Sequence, residues 1–410
     1  MFHKLDKYKH AKKQTKQINI ICILLGVMFF SACQAQSTEN GNASADSTVT
    51  RDAQTEQITL SFDQMNWEKD KGITYATQFY VETCEDYALI TIVEDGRFLL
   101  IPENAQIPEH LPEDVKVLKQ PLDHTYIASS SVFDLVREAG ALDQIRFSGT
   151  KKEDLCIEEA VEAMEDGRML YAGKYSKPDY ELLISENCKL AIENTMIYHN
   201  PETKEKLESL GIPVLVETSS YEKHPYGRME WIKLYGYLFD EKETVNTFFE
   251  KEVEKLSKII DQNANDESPV IAFFYVNTNG VINVRKPGDY VTEMISMAGG
   301  TYALNDAVVE EDNALSTMNM QMEDFYLAAK DADILIYNST ITGELTGVED
   351  LLDKNPVFAD FKAVKEDRLY CTEKNFFQET TAIGDFVLDL SEAMTDPDKQ
   401  DFRQMKKVGK

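Results

Sequence analysis

The sequence contains few residues whose type and spacing together indicate a chemical function. Histidine and cysteine are the side chains that most often bind metals or act as nucleophiles. Beyond residue 33, the sequence has four histidines and four cysteines, at His110, His124, His199, His224, Cys84, Cys156, Cys188 and Cys371. They form no ligand-like histidine pair and no CxxC motif, so neither a zinc site nor a redox dithiol is predicted, and a bare-ion receptor is a disfavoured alternative. Whether these cysteines pair as disulfides stays open.

Motifs of known catalytic chemistry are also missing from the sequence. There is no Gly-x-Ser-x-Gly elbow, no His-Glu-x-x-His, no phosphate-binding P-loop and no dinucleotide-binding glycine pattern. With 72 acidic residues, chance carboxylate pairs carry no information about a hydrolase. We therefore expect no enzyme, no catalytic residue and no resident cofactor, and a surface enzyme or sensor remains a weaker alternative.

The charge of the chain restricts its partners. Asp and Glu number 72 against 42 Lys and Arg, which gives a formal net charge of −30. Nucleic acid is excluded as an expected partner because phosphate binding requires basic surface. An acidic surface mildly favours cationic or metal-bearing ligands over small bare anions.

The first 57 residues look like an export and anchoring segment. Six lysines precede a run from Ile18 to Phe30 that is apolar apart from Asn19; it is too short for a permanent membrane span and is typical of a signal peptide. The run ends at Ser31-Ala32-Cys33, so we predict residues 1–33 as a lipoprotein signal with Cys33 as the lipid anchor, and secretion without lipid as the alternative. Residues 34–57 are small and polar and are expected to be a disordered tether. The predicted location is extracytoplasmic, on the cell membrane.

Hydrophobic periodicity divides the rest of the chain into two α/β halves. Strands are predicted at 75–83, 87–93 and 97–101 as an antiparallel meander, and strands then alternate with helices from Pro121 onwards. A long amphipathic helix is expected over 241–263, with Asp240 as its cap and Glu243 completing a capping box, after a helix over 228–239. The expected domains are an N-terminal lobe with its leading meander (58–239), a connecting helix (240–263) and a C-terminal lobe (264–400).

A weak internal repeat relates the two halves. Glu181 precedes the apolar strand 190–192 and Asn194-Thr195, and Glu323 precedes the apolar strand 334–336 and Asn338-Ser339. Several other short segments are informative through their order along the chain. In that order they are Ser129-Ser130-Ser131, Lys177-Pro178-Asp179-Tyr180-Glu181, Leu210-Gly211-Ile212-Pro213-Val214, Gly227-Arg228-Met229-Glu230-Trp231, Met297-Ala298-Gly299-Gly300, Ala332-Asp333 and Ala363-Val364-Lys365.

In this order of elements, residues 120–395 resemble the class III periplasmic binding proteins, which serve ABC importers of iron-siderophore complexes, haem and cobalamin. The resemblance implies two doubly wound α/β lobes joined by a single long helix. It also implies that a glutamate on each lobe, here Glu181 and Glu323, docks onto arginines of a permease dimer. Residues 58–101 lie outside the resemblance.

The resemblance places the ligand in a cleft formed by strand-end loops of both lobes. Aromatic walls with a few polar groups suit a bulky planar or cage-like ligand. The implied ligand-binding residues are Ser130, Tyr175, Asn194, Tyr221, His224 and Arg228 in the first lobe, and Tyr275, Asn277, Arg285, Met318, Asn338, Phe376 and Phe377 in the second. The expected protein is a monomeric lipoprotein that binds a siderophore, haem or cobalamin and delivers it to the importer.

Overall fold

The computed structural model describes residues 60–262, 268–307 and 316–409. The predicted signal peptide, the anchor Cys33 and the tether lie outside these residues. Within the described part of the chain, no helix is long and apolar enough to cross a membrane.

The chain first forms a separate five-stranded sheet, in which the predicted meander is confirmed. Its strands, in sheet order, are β1 Glu68–Lys69, β2 Phe79–Cys84, β3 Tyr87–Ile92, β4 Gly96–Ile101 and β5 Val115–Lys119. β1 to β4 are antiparallel, and β5 is parallel to β4.

β2 begins at Phe79 and not at the predicted Tyr75, because the preceding backbone has other hydrogen-bond partners. The Glu230 carboxylate accepts from the N–H groups of Tyr75 (2.6 Å) and Ala76 (2.8 Å). The Glu222 carboxylate accepts from the N–H groups of Thr77 and Gln78 at 2.9 Å. These donors are therefore not available to a strand ladder.

A second sheet forms the core of the N-terminal lobe. Its five parallel strands follow the order β12-β11-β6-β7-β8. Their bounds are β6 Thr125–Ile127, β7 Ile145–Ser148, β8 Leu170–Tyr171, β11 Leu190–Asn194 and β12 Val214–Glu217, with a small hairpin of β9 Gly173–Lys174 and β10 Lys177–Pro178 between β8 and β11. The helices of this lobe are α1 Val132–Glu138, α2 Glu158–Glu165, α3 Tyr180–Ser185 and α4 Pro201–Ser209. α4 ends just before Gly211, whose φ of +82° suits glycine at a helix C-terminus.

Three helices follow: α5 Pro225–Glu230, α6 Ile232–Leu238 and α7 Lys242–Gln262. The helix predicted over 228–239 is thus two helices that meet at Trp231. The predicted cap of α7 is wrong, because Asp240 has a φ of +61° in the turn that ends α6. Thr244 Oγ1 donates to Glu241 at 2.9 Å beside the start of α7.

α7 joins the lobes and packs against both. Gly236 of α6 lies so close to α7 that a Cβ there would be 2.4 Å from Val245 Cγ2. At the other end, Lys255 Nζ lies 2.9 Å from Asp385 Oδ1 of the C-terminal lobe.

The C-terminal lobe is built on a mixed seven-stranded sheet. Its bounds are β13 Val270–Val276, β14 Ile282–Arg285, β15 Thr301–Tyr302, β16 Thr317–Met320, β17 Ile334–Tyr337, β18 Leu369–Thr372 and β19 Met405–Lys407. The order is β16-β14-β13-β17-β18-β19, and β15 also pairs with β13. β13 is almost entirely apolar because it lies in the middle of the sheet with both faces covered.

Six helices flank this sheet: α8 Tyr290–Met297, α9 Met322–Ala329, α10 Ser339–Thr342, α11 Val348–Lys354, α12 Lys362–Lys365 and α13 Ile383–Thr395. α13 packs on α7 and α8. The buried apolar side chains of β2, α6, α7, β13 and α13 belong to one continuous cluster. This shared core holds the loops of the two lobes against each other at the strand ends.

Candidate ligand-binding site

Two arginines from different lobes approach the same aromatic ring. The Arg228 guanidinium of α5 lies with Cζ 4.5 Å from the centroid of the Tyr290 ring, at the start of α8. The Arg285 guanidinium, at the end of β14, lies 5.1 Å from the same centroid and 5.7 Å from that of Phe377. Both arginines are buried, with 6% and 8% of their surface exposed. Such cation–π contacts are strongest where water is excluded.

Each arginine has an acidic neighbour. Arg285 forms two hydrogen bonds to Asp289, with Nε 2.7 Å from Oδ1 and Nη2 2.5 Å from Oδ2. Burial lowers the pKa of Arg285, but the Asp289 carboxylate more than offsets this, so its pKa lies above the ordinary value. Burial raises the pKa of Glu217, and the positive charge of Arg228 opposes that rise. Arg228 therefore has less direct charge compensation than Arg285.

A cavity lies beside Arg228 between the lobes, and we call it the junction cavity. It encloses a volume of roughly 20 Å³, within roughly 290 Å³ of atom-free space that includes open solvent. Its lining includes Arg228 from α5, Tyr290 and Met294 from α8, Phe376, Glu379, Thr380, Ala382, Ile383 and Phe386 from the segment entering α13, and Gln404 before β19. The cavity thus has an aromatic wall and a small number of polar groups.

A segment of the C-terminal lobe, residues 378–381, bridges to the N-terminal lobe next to this cavity. The Gln378 amide accepts from Cys156 N–H at 2.9 Å and donates to Asp154 O at 2.8 Å. Thr381 donates from its N–H and from Oγ1 to Asp134 Oδ2, both at 2.7 Å. Burial raises the pKa of Asp134 to about 6, although the bonds from Thr381 oppose the rise.

The two predicted docking glutamates occupy corresponding places on their lobes. Glu181 lies in the first turn of α3, Glu323 lies in the first turn of α9, and both side chains are exposed. An exposed aliphatic residue follows each of them by about one turn: Ile184 is 50% exposed and Leu327 is 73% exposed. A carboxylate next to an aliphatic side chain is thus presented once on each lobe.

Comparison with known proteins identifies the family. Residues 173–375, which run from the second sheet through α7 and into the third sheet, match the model described as periplasmic binding protein. Residues 173–375 are a domain of the periplasmic binding protein family. This family supplies the substrate-binding components of ABC transporters, as the resemblance in the sequence implies.

Individual relatives of the chain agree with that assignment. An uncharacterized lipoprotein of Methanocaldococcus jannaschii is 23% identical over 383 residues, covering 89% of each chain. A periplasmic binding protein of Veillonella parvula superposes with a TM-score of 0.55 at 15% identity, covering 77% of this chain and 97% of its own. A periplasmic haem-binding protein of Pseudomonas aeruginosa gives 0.54 at 14% identity, covering 70% and 98%. At these identities the solved structures show the fold alone, and it is the predicted class III fold of two lobes and one joining helix.

Four of the implied ligand residues meet at the lobe junction. Arg228 and Phe376 line the junction cavity. Arg285 and Phe377 pack beside it, since the Phe377 ring lies 4.9 Å from Phe376. They remain predicted ligand residues, now with a shared location.

The remaining candidates of the N-terminal lobe have different surroundings. Asn194 donates to Ala128 O and accepts from Met196 N–H, and His224 Nδ1 accepts from Tyr226 N–H at the start of α5. Tyr175 packs on the apolar cluster of the second sheet. Ser130 and Tyr221 are half-buried. Asn194 and His224 therefore have local capping roles, whatever else they contact.

The remaining candidates of the C-terminal lobe are also mostly engaged locally. Asn338 caps α10 by accepting from Thr340, and Asn277 closes the turn before β14 by accepting from the N–H groups of Asn279 and Val281. Tyr275 and Met318 are partly buried against the main core.

The structure also brings in residues that the sequence did not indicate. Tyr290 supplies the ring between the two arginines, and Gln378 and Thr381 link the lobes. Asp289 did carry a signal, because it lies four residues after Arg285 and precedes a helix that it caps.

Metal and thiol chemistry find little support in the described residues. They contain no group of three or more His, Cys, Asp or Glu side chains placed to hold a metal ion. The four cysteines among them, Cys84, Cys156, Cys188 and Cys371, are all free thiols. This settles the disulfide question that the sequence left open.

Proposed function

We propose that this protein captures a metal chelate, such as a ferric siderophore, haem or a corrinoid, between its lobes and delivers it to an ABC importer. The observation that carries the proposal is the arginine and aromatic cluster of Arg228, Arg285, Tyr290, Phe376 and Phe377 at the lobe junction. Buried aromatic walls with a few fixed polar groups are typical of sites for large, flat or cage-like ligands. The similarity to a protein named as haem-binding supports the same class of ligand.

The proposal includes docking through Glu181 and Glu323. Both glutamates are exposed at helix starts, and Arg–carboxylate pairs are well suited to fix two partners in one orientation. Ile184 and Leu327 add an apolar contact beside each glutamate, as expected at the centre of a protein interface. We further propose that Cys33 carries the membrane anchor, which the similarity to a protein named as a lipoprotein supports.

The ligand can be identified by thermal unfolding of the full-length protein in detergent against haemin, cyanocobalamin, ferric siderophores and divalent metal salts. A ligand that binds only the folded state raises the unfolding temperature, and the rise grows with the logarithm of the ligand concentration above Kd. A rise with at least one chelate and none with the bare metals is the expected result. If only a bare metal raises it, or nothing does, the proposal of chelate capture is wrong.

Docking is tested by charge reversal. Glu181→Arg and Glu323→Arg should each reduce uptake of the identified chelate by cells at least tenfold while leaving its affinity for the purified protein unchanged. The matched controls are Glu205→Arg and Glu366→Arg, which reverse exposed glutamates, one before the joining helix and one after it. Equal uptake by all four variants would contradict docking through these residues.

A further inference from the structure

Two buried polar atoms of the junction cavity have no hydrogen-bond partner among the described residues: Nη1 of Arg228 and Oε1 of Gln404. Arg228 is 6% exposed and Gln404 is 4% exposed, so bulk water reaches neither side chain freely. Each buried polar atom without a partner is destabilising. The described residues contain sixteen such side-chain atoms, and these two are the ones that line the junction cavity. Two of them in one cavity point to a bound polar group.

The two atoms need opposite hydrogen-bond partners: Nη1 needs an acceptor and Oε1 needs a donor. A guanidinium nitrogen can only donate. Gln404 Nε2 donates to Glu379 Oε2 at 2.6 Å, and this bond to an acceptor fixes the orientation of the Gln404 amide. Oε1 is therefore the free end of that amide, and it can only accept. A matching group must carry both an acceptor and a donor.

Charge then separates the candidates. Glu379 lines the same cavity as Arg228, so the cavity contains a carboxylate as well as a positive charge. An entering carboxylate would be attracted to Arg228. It would be repelled by the Glu379 carboxylate, and it would have no proton to donate to the Gln404 carbonyl oxygen. A neutral primary carboxamide can accept from Arg228 with its oxygen and donate to Gln404 with its NH₂.

We propose that the junction cavity is a subsite for a neutral carboxamide at the edge of the ligand. This inference rests on the proposed function and narrows it. Among metal chelates, those with peripheral carboxamides, such as corrinoids, bind in preference to those with peripheral carboxylates, such as haem.

The test is a fluorescence titration of the wild-type, full-length protein in detergent. The probes are cyanocobalamin, its three monocarboxylic acids, each with a single peripheral amide hydrolysed, and haemin. We expect cyanocobalamin to bind and at least one monoacid to bind at least tenfold more weakly, because one buried hydrogen bond is lost and a charge is added. In Glu379→Gln, the ratio of the affinity for cyanocobalamin to the affinity for that monoacid should fall at least threefold. In the control Glu208→Gln, this ratio should not change.

Equal affinity for cyanocobalamin and all three monoacids would overturn the carboxamide subsite, as would binding of haemin without any corrinoid. If neither probe class binds but a ferric siderophore raises the unfolding temperature, the subsite is wrong while capture of a chelate stands. The monoacid series uses only the wild-type chain, so a variant that fails to fold does not affect the decision.

Discussion

Arg228 and Tyr290 stack across the junction of the two lobes, with the guanidinium carbon 4.5 Å from the ring centroid. Both side chains are almost fully buried, so the contact is partly desolvated. A cation–π pair of this kind contributes about 1–2 kcal/mol. It also places the positive charge of Arg228 next to the junction cavity, where a bound ligand would meet it.

Thr381→Val should weaken the lobe junction by about 2 kcal/mol, because it removes the hydroxyl that donates to the buried Asp134 carboxylate at 2.7 Å. Thr346→Val is the matched control, since Thr346 also donates from its N–H and Oγ1 to an aspartate, Asp350, but at the surface. The loss of stability in each variant is measured as the free energy of unfolding in urea. Equal losses in the two variants would show that the Thr381–Asp134 hydrogen bond stabilises the protein no more than the surface bond does.

Glu193→Gln should remove a pH dependence of stability. Burial raises the pKa of Glu193 in β11 to about 8 from an ordinary 4.5, so the folded protein holds a proton that the unfolded chain releases above pH 4.5. This group therefore makes folding less favourable as pH rises towards 8, by about 3 kcal/mol between pH 5 and 7.5.

The unfolding free energy of wild type and Glu193→Gln, measured at both pH values, isolates this group because all other titrations are shared. The variant should gain about 3 kcal/mol relative to wild type on going from pH 5 to 7.5. A difference that stays constant with pH would contradict the assignment.

Glu230→Ala should loosen the link between the first sheet and the N-terminal lobe. The buried Glu230 carboxylate accepts from backbone N–H groups at 74–76 and from Lys233 Nζ at 2.9 Å. Its removal leaves partly buried backbone donors without a partner and leaves the Lys233 ammonium with the Gly72 carbonyl as its hydrogen-bond acceptor. We expect a loss of about 3–5 kcal/mol and faster proteolysis within residues 70–78. Glu205→Ala, at an exposed position, is the control and should change neither readout.

Ligand binding should change the dimensions of the protein only slightly. α7 packs on α6 in one lobe and on α13 in the other, so a large hinge rotation would break both contacts. We expect the radius of gyration from small-angle scattering to change by less than about 1 Å on saturation with the identified ligand. A larger contraction would show that α7 does not restrain the lobes.

The sequence predicts the elements whose hydrophobic pattern is strong. The apolar strand β17 lies at the predicted residues, and α7 differs from its prediction by one residue at each end. The strands β14, β16 and β19 were missed because they are short, antiparallel and only partly apolar. The cap at Asp240 was wrong because the turn that ends α6 determined its backbone conformation.

The sequence also predicts the site only in part, because some of its contacts join residues that are far apart in the chain. Arg228, Arg285, Phe376 and Phe377 are implied by the resemblance, which places the ligand at strand-end loops, and the structure brings the four together. The bridge from Gln378 to Cys156 joins residues 222 positions apart, and no local pattern reports such a contact. The partnerless Gln404 Oε1 likewise becomes visible only once the surrounding side chains are in place.

The most direct test of ligand capture at the lobe junction is the affinity of Arg228→Gln for the chelate that stabilises the wild-type protein. Arg97→Gln, in the first sheet and paired with Asp114, is the control. Isothermal titration should show binding at least tenfold weaker for Arg228→Gln, about 1.4 kcal/mol, and unchanged for Arg97→Gln. Unchanged affinity in Arg228→Gln would place the ligand elsewhere on the protein.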